Sequence, residues 1–131
     1  MPVPDPVLYP AFNTLRISHI EYGVTDLSAS KKFYSDILGL QVTGENDDTI
    51  YLRAMEERGH HCVILKKSSK PNIRVLGFKT FSEEDLDKAE KYFLGIGCKV
   101  KWVERPYQGR TLLTHDTVSY THLTLPTILL V

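Results

Sequence analysis

The chain has few cysteines, no net charge and no long apolar segment. Its 131 residues include two cysteines, Cys62 and Cys98, which lack the paired spacing of a zinc or redox site, so we expect two reduced, packed thiols. Sixteen basic residues balance sixteen acidic ones, which leaves no positive field to attract nucleic acid or anionic lipid. The apolar stretch 123–131 is shorter than the roughly 20 residues that a membrane-spanning helix needs. Neither nucleic acid nor a membrane is an expected partner.

The beginning of the chain lacks the features of a secretion signal. Met1–Pro10 is rich in proline and has neither a basic start nor an apolar region. The sequence also contains no glycine-rich phosphate loop and indicates no arrangement of Ser, His and Asp or of Cys and His for nucleophilic catalysis. With 42% hydrophobic residues, the expectation is a cytoplasmic protein with one globular core.

The predicted elements occur in the order strand, helix and three strands. Alternating side chains over 15–24 predict the first strand, and Asp26 can cap a helix that Gly39 ends. The three strands that follow are predicted at 40–43, 49–54 and 62–66.

The same order then returns at a spacing of about 55 residues, which indicates two copies of one unit. A strand over 73–80 precedes a helix capped by Ser82, and strands follow at 98–103 and 111–114, while the last strand of this copy is not recognisable. Each copy is too small to bury its own sheet face, so the two must pack together.

The predicted architecture is therefore an α+β fold of two tandem βαβββ modules. A proline-rich arm spans 1–14, the first module 15–70, and an incomplete second module 71–116. A ferredoxin-like sandwich is the alternative, but it has fewer strands in each repeat.

Two stretches resemble a known family. The run VTDLSASKKFYSDILGL, residues 24–40, resembles the signature of the vicinal oxygen chelate superfamily, which contains glyoxalases, bleomycin-resistance proteins and dioxygenases. The run NDDTIYLRAMEERGHHCVIL, residues 46–65, is similar to the amino-terminal domain of homoprotocatechuate or catechol 2,3-dioxygenases. The resemblance covers about 16–116.

This resemblance implies a parent enzyme that opens a catechol ring beside its diol with O2 in aromatic degradation. Such enzymes hold Fe(II), or Mn(II), by two His and one carboxylate and leave positions open for catecholate and dioxygen. It implies that the chain is the amino-terminal domain, that a carboxy-terminal domain carries the iron, and that the parent forms a homo-oligomer. The fragment alone is then expected to bind no metal and to be inactive.

The candidate ligands in the sequence do not complete such a site. His19 occupies the first-strand position of a ligand in this family, but the equivalent place in the second module falls at Arg74 or Val75, and neither is an iron ligand. The strand 62–65 lacks the required Glu. We therefore favour a hydrogen-bonded strand histidine for His19, and assign no catalytic, cofactor-binding or metal residue.

The other polar residues have simpler interpretations. His60 and His61 are adjacent on a predicted strand edge, where neighbouring side chains point to opposite faces, so we expect one packed and one solvated ring. Glu83, Glu84 and Asp85 fit the first turn of a helix, where acidic residues stabilise the macrodipole.

Two other functions remain open. One is a metal-free module of the bleomycin-resistance kind, which holds an apolar ligand in a groove between paired units of a dimer. The other is a glyoxalase-like or thiol-transferase metalloenzyme that uses His19 across a dimer interface.

The tail after Asp116 departs from the family pattern, which calls for Pro, a Gly turn and a closing strand with an acidic residue. Residues 117–131, TVSYTHLTLPTILLV, resemble the translated adapter read-through at the ends of metagenomic contigs. We therefore interpret this tail as an artefact of sequence assembly. Residues 118–125 nevertheless have the composition of a strand that Pro126 would end. The last strand of the second module is thus expected to be missing or replaced.

Overall fold

The chain forms strands and helices in the order that the sequence predicts. The computed structural model describes residues 8–115 and 122–126. Within them the elements are β1 (Thr14–Val24), α1 (Leu27–Lys32), β2 (Gln41–Glu45), β3 (Thr49–Arg53), β4 (Val63–Lys67), β5 (Asn72–Thr80), α2 (Glu83–Gly95), β6 (Val100–Val103), β7 (Thr111–His115) and β8 (His122–Pro126). The α+β class with paired βαβββ units is confirmed.

The helix ends follow from local chemistry. The Asp26 carboxylate accepts a hydrogen bond from the Ala29 amide at 3.0 Å, and the Ser82 hydroxyl accepts one from the Asp85 amide at 3.2 Å. Gly39 has a φ of 79°, a conformation that only glycine adopts without strain, and it ends the first helix as predicted.

The first helix differs from expectation in its last turns. After α1 the chain continues as a π-helical segment, Phe33–Ile37, in which the Leu38 amide donates to the Phe33 carbonyl at 3.1 Å. The wider turn has more residues than an α-helical turn, so it changes which side chains share a face, and Ile37 and Leu38 are largely exposed.

All eight described strands form one sheet, in the order β2-β3-β4-β1-β5-β8-β7-β6. At its centre β1 runs antiparallel to β5, and each of these strands has a parallel neighbour, β4 beside β1 and β8 beside β5. The strands β5, β6, β7 and β8 of the second unit correspond to β1, β2, β3 and β4 of the first. The strand order is therefore symmetric about the β1–β5 pair, and an approximate two-fold axis passes between these two strands.

The closing strand of the second unit comes from the tail. β8 lies between β5 and β7, the place that β4 occupies between β1 and β3. The sequence predicts this strand from 118 onwards, but 116–121 lie outside the described residues, as do 1–7 and 127–131. The missing strand is thus replaced by His122–Pro126.

Each unit has its own small hydrophobic core beneath its helix. In the first unit the core is built on Ile50, Leu52 and Leu65, and in the second on Leu86, Ala89 and Leu112. Both cysteines are free thiols and half-buried. Among the described residues, no helix is long and apolar enough to span a membrane.

The alternation of β1 separates two chemically different faces. Tyr22 and Val24 pack towards α1 with the first core, whereas His19 and Glu21 are buried on the opposite side. Tyr51 of β3 lies on that same side, which we call the polar face. The polar face carries the buried side chains of His19 and Glu21.

Candidate functional site

A buried carboxylate on the polar face joins the two units. Glu21 is 5% exposed, and its two carboxylate oxygens accept hydrogen bonds from Arg105 at 2.7 Å and from Arg74 at 3.2 Å. Arg105 lies in the loop between β6 and β7 and Arg74 in β5, so both cations come from the second unit. Each oxygen of this carboxylate is therefore held in a charge-assisted hydrogen bond with an arginine.

His19 is held beside this ion pair by neutral hydrogen bonds. Its ring is 2% exposed, with Nδ1 3.1 Å from the Ser18 hydroxyl and Nε2 3.1 Å from the amide nitrogen of Gln108. Burial, and after it the charge of Arg105, lowers the pKa of His19 to about 4. In the tautomer that carries its proton on Nδ1, the neutral ring accepts the Gln108 amide proton through Nε2.

The prediction that His60 and His61 point to opposite faces is wrong. β4 begins only at Val63, so both residues lie in the preceding loop, where strand alternation does not apply. Their Nδ1 atoms are 3.1 Å apart, and the His61 ring is buried with its centroid 5.2 Å from that of His19. Burial lowers the pKa of His61 to about 3, with further contributions from His19 and His60.

An exposed tyrosine covers His60. The rings of Tyr107 and His60 stack with centroids 3.7 Å apart and planes 7° from parallel, so His60 is half-buried rather than solvated. Tyr107 also packs edge-on against Tyr51, at 5.1 Å between centroids. It has a φ of 61°, an unusual value for a residue with a side chain, which the aromatic contacts on both sides help to hold.

Sequence reasoning missed Glu21 and three residues of one loop: Arg105, Tyr107 and Gln108. All three lie in the loop between β6 and β7, and a sequence does not reveal which side chains of a loop fold back onto the sheet. No local pattern marks these residues, because each finds its partner across the sheet.

The described side chains do not fit a 2-His-1-carboxylate iron site. His19 precedes the cap Asp26 by as many positions as Val75 precedes the cap Ser82, which makes Val75 the equivalent of His19. The pairing of β1 with β5 agrees with this equivalence. His19 is paired with Gly77 and Glu21 with Val75, so the two-fold axis that exchanges the units also exchanges these two pairs. In the part of the chain that the structure describes, no three His, Cys, Asp or Glu side chains converge.

The acidic run at 83–85 forms the start of α2, as predicted. Asp85 is 3% exposed, accepts a hydrogen bond from the Ser82 hydroxyl at 2.8 Å, and accepts another from the Asn13 amide at 3.0 Å. These bonds lower the pKa of Asp85 and attach the segment before β1 to the helix. Its role is structural.

Known sequences match most of this chain. The sequence model of the Glyoxalase/Bleomycin resistance protein/Dioxygenase superfamily matches residues 16–112. Metapyrocatechase from Pseudomonas sp. (strain CF600) is 27% identical over 90 residues, which are 68% of this chain and 29% of that enzyme. A manganese-dependent 2,3-dihydroxybiphenyl 1,2-dioxygenase from Geobacillus genomosp. 3 is 28% identical over 89 residues, 68% of this chain and 28% of that enzyme.

Solved structures agree with the sequence matches. An extradiol ring-cleaving dioxygenase from B. fuscum superimposes with a TM-score of 0.84 and 33% identity over 96% of this chain and 36% of its own. Homoprotocatechuate 2,3-dioxygenase from Arthrobacter globiformis gives a TM-score of 0.84 and 30% identity over 92% of this chain and 38% of its own. The chain thus spans about a third of the length of these relatives. It belongs to the glyoxalase/bleomycin resistance protein/dioxygenase superfamily, and its relatives are extradiol ring-cleaving dioxygenases.

Proposed function

We propose that this chain is the amino-terminal, non-metal-binding domain of an extradiol dioxygenase that opens a homoprotocatechuate-like catechol with O2. The observation that carries the proposal is the match to homoprotocatechuate 2,3-dioxygenase, with 33% identity and a TM-score of 0.85 over 96% of this chain but only 35% of that one. A likeness of this extent to one part of a longer enzyme supports a domain of such an enzyme over an independent protein.

The hydrogen bonds and ion pairs of the polar face also support a domain that does not bind the metal. When bound in the parent, Fe(II), or Mn(II), would supply the template that brings catecholate and dioxygen together. Here Glu21 is paired with two arginines, and His19 and His61 are hydrogen-bonded to Gln108. We assign the metal ligands to a carboxy-terminal domain, against which this domain packs, in a cytoplasmic homo-oligomer.

Iron binding and turnover by the purified chain test the proposal. The chain is mixed anaerobically with Fe(II), desalted and assayed for iron, and then given homoprotocatechuate and oxygen while oxygen uptake is followed. We expect iron well below one equivalent and no uptake above the protein-free rate. Tight iron binding with ring opening that His19→Ala abolishes would contradict it and would favour a metalloenzyme that uses His19.

The nucleotide sequence beyond codon 116 tests the parentage separately. An independent read is expected to continue in frame with Pro, a Gly turn and a second paired module, in place of the residues 117–131. The alternative, a complete metal-free binding module, predicts that the frame ends near its present position and that the purified chain takes up an apolar ligand in a titration.

A further inference from the structure

Gln108 lies between two buried imidazole rings. Its amide nitrogen is 3.1 Å from Nε2 of His19 and 3.5 Å from Nε2 of His61. The three side chains come from β1, from the loop before β4, and from the loop between β6 and β7. Two nitrogen acceptors from distant segments therefore face one point in space, and the amide occupies that point.

Polar groups surround this amide. When both rings carry their own proton on Nδ1, the two protons of the amide nitrogen can be donated one to each Nε2. The amide oxygen lies 3.3 Å from the hydroxyl of the fully buried Thr111, whose single proton has a nearer acceptor in the Gly109 carbonyl at 2.9 Å. The two rings are therefore the main partners of the Gln108 side chain.

The two rings also have the separation of a metal-binding pair. Imidazoles that coordinate one tetrahedral ion through nitrogens about 2.1 Å away have ring centroids roughly 5 Å apart. The centroids of His19 and His61 are 5.2 Å apart, with their planes inclined by 69°. Histidine nitrogen suits zinc, cobalt, nickel and copper ions, which bind well to imidazole.

We propose that His19 and His61 form a latent two-histidine site for a divalent transition-metal ion, and that the amide of Gln108 keeps this site closed. Arg105 opposes a cation there as well, since its charge acts on both rings. Glu21 offsets that charge through its 2.7 Å ion pair with Arg105. The inference does not depend on the proposed function.

Substitution of Gln108 should open the site. In Gln108→Glu a carboxylate replaces the amide at nearly the same size, cannot donate to either ring, and adds a third metal donor beside the two nitrogens. Gln108→Ala removes the amide without adding charge. The matched control is Gln41→Glu, which adds the same charge at an exposed position on β2.

Cobalt(II) alone is the probe, because its visible spectrum reports the number and type of its ligands. Co²⁺ binding is measured by equilibrium dialysis, absorption and the shift in thermal unfolding, with circular dichroism as the check on folding. We expect Gln108→Glu to bind one Co²⁺ about 100-fold more tightly than the wild type or Gln41→Glu. Loss of the two hydrogen bonds from the amide to the rings accounts for about tenfold of this factor, and the added carboxylate donor for the other factor of about ten. Adding His61→Ala should return the affinity to the wild-type value.

Three results would overturn the proposal. The first is a wild type that binds Co²⁺ as tightly as Gln108→Glu, since the amide would then close nothing. The second is a folded Gln108→Glu that gains no affinity, and the third is a gain that survives His61→Ala. If Gln108→Glu does not fold, Gln108→Ala decides, with about tenfold tighter binding than the wild type expected and an unchanged affinity refuting the closed site.

Discussion

An alanine at Gly77 tests the close contact on which the position of His19 depends. A Cβ atom there would lie 2.3 Å from Cε1 and 2.6 Å from Nδ1 of the His19 ring. Ordinary carbon contacts are about 3.5 Å or longer, so the ring would have to move by roughly 1 Å. The ring is 2% exposed, so moving it would disturb the groups that bury it.

The expected cost combines three contributions. Overpacking of a buried site costs about 1–3 kcal/mol, and weakening the bond from His19 to Gln108 adds about 1 kcal/mol. Removing a glycine from a strand returns about 0.5–1 kcal/mol. Gly77→Ala should therefore lower the free energy of unfolding by about 2 kcal/mol, which is about 8 °C in Tm for a domain of this size.

Urea unfolding of four variants isolates the contact. Gly44→Ala is the matched control, because its Cβ would meet no atom closer than 3.6 Å. Gly44 also lies in a strand, so this substitution should keep the gain of about 0.5–1 kcal/mol without the cost of a clash. In the His19→Ala background the same Gly77→Ala change should cost almost nothing, since the obstructing ring is gone. Equal costs of Gly77→Ala with and without the ring would refute the reasoning.

Two further predictions concern the charges of the polar face. Glu21→Gln should lower the free energy of unfolding by about 2 kcal/mol, because it leaves Arg105 without its charged partner. The control Glu45→Gln breaks an exposed ion pair and should lower it by less than about 0.5 kcal/mol. Thermal unfolding of the two variants measures the difference. The pKa of His19 is lowered to about 4 and that of His61 to about 3. Below pH 6.5 the unfolded chain therefore binds more protons than the folded chain, and the free energy of unfolding decreases as the pH is lowered. The expected loss between pH 7 and pH 5 is about 2 kcal/mol for each ring. Urea midpoints at pH 7 and 5 measure this loss, and His61→Gln should remove about half of it; an unchanged slope in that variant would contradict the assignment.

The elements could be predicted because their signals are local. Alternation defines β1, a carboxylate at Asp26 and a hydroxyl at Ser82 begin the helices, and Gly39 ends the first one. The return of the same element order after about 55 residues also predicted that two units pack together. The same local reasoning failed at His60 and His61, which were treated as the edge of the strand predicted at 62–66 although they lie in the loop before β4.

The candidate site could not be predicted in the same way. The sequence indicates that His19 lacks convergent partners for iron, but not what surrounds the ring instead. Gln108 and Arg105 reach β1 across more than eighty positions of the chain. Such contacts depend on the path of a loop over the sheet, and a sequence pattern specifies only that a turn is present.

The different loop lengths explain why a nearly symmetric sheet carries an asymmetric polar face. In the first unit Asn46–Asp48 connect β2 to β3, and the Asn46 side chain closes this turn by accepting hydrogen bonds from two amides. In the second unit residues 104–110 connect the equivalent strands, and only this longer loop can fold back over the centre of the sheet. It delivers Arg105 to Glu21 and Gln108 to His19. Duplication therefore supplied the scaffold, while one extended connection determined which buried groups are paired and whether the space between the two imidazoles stays closed.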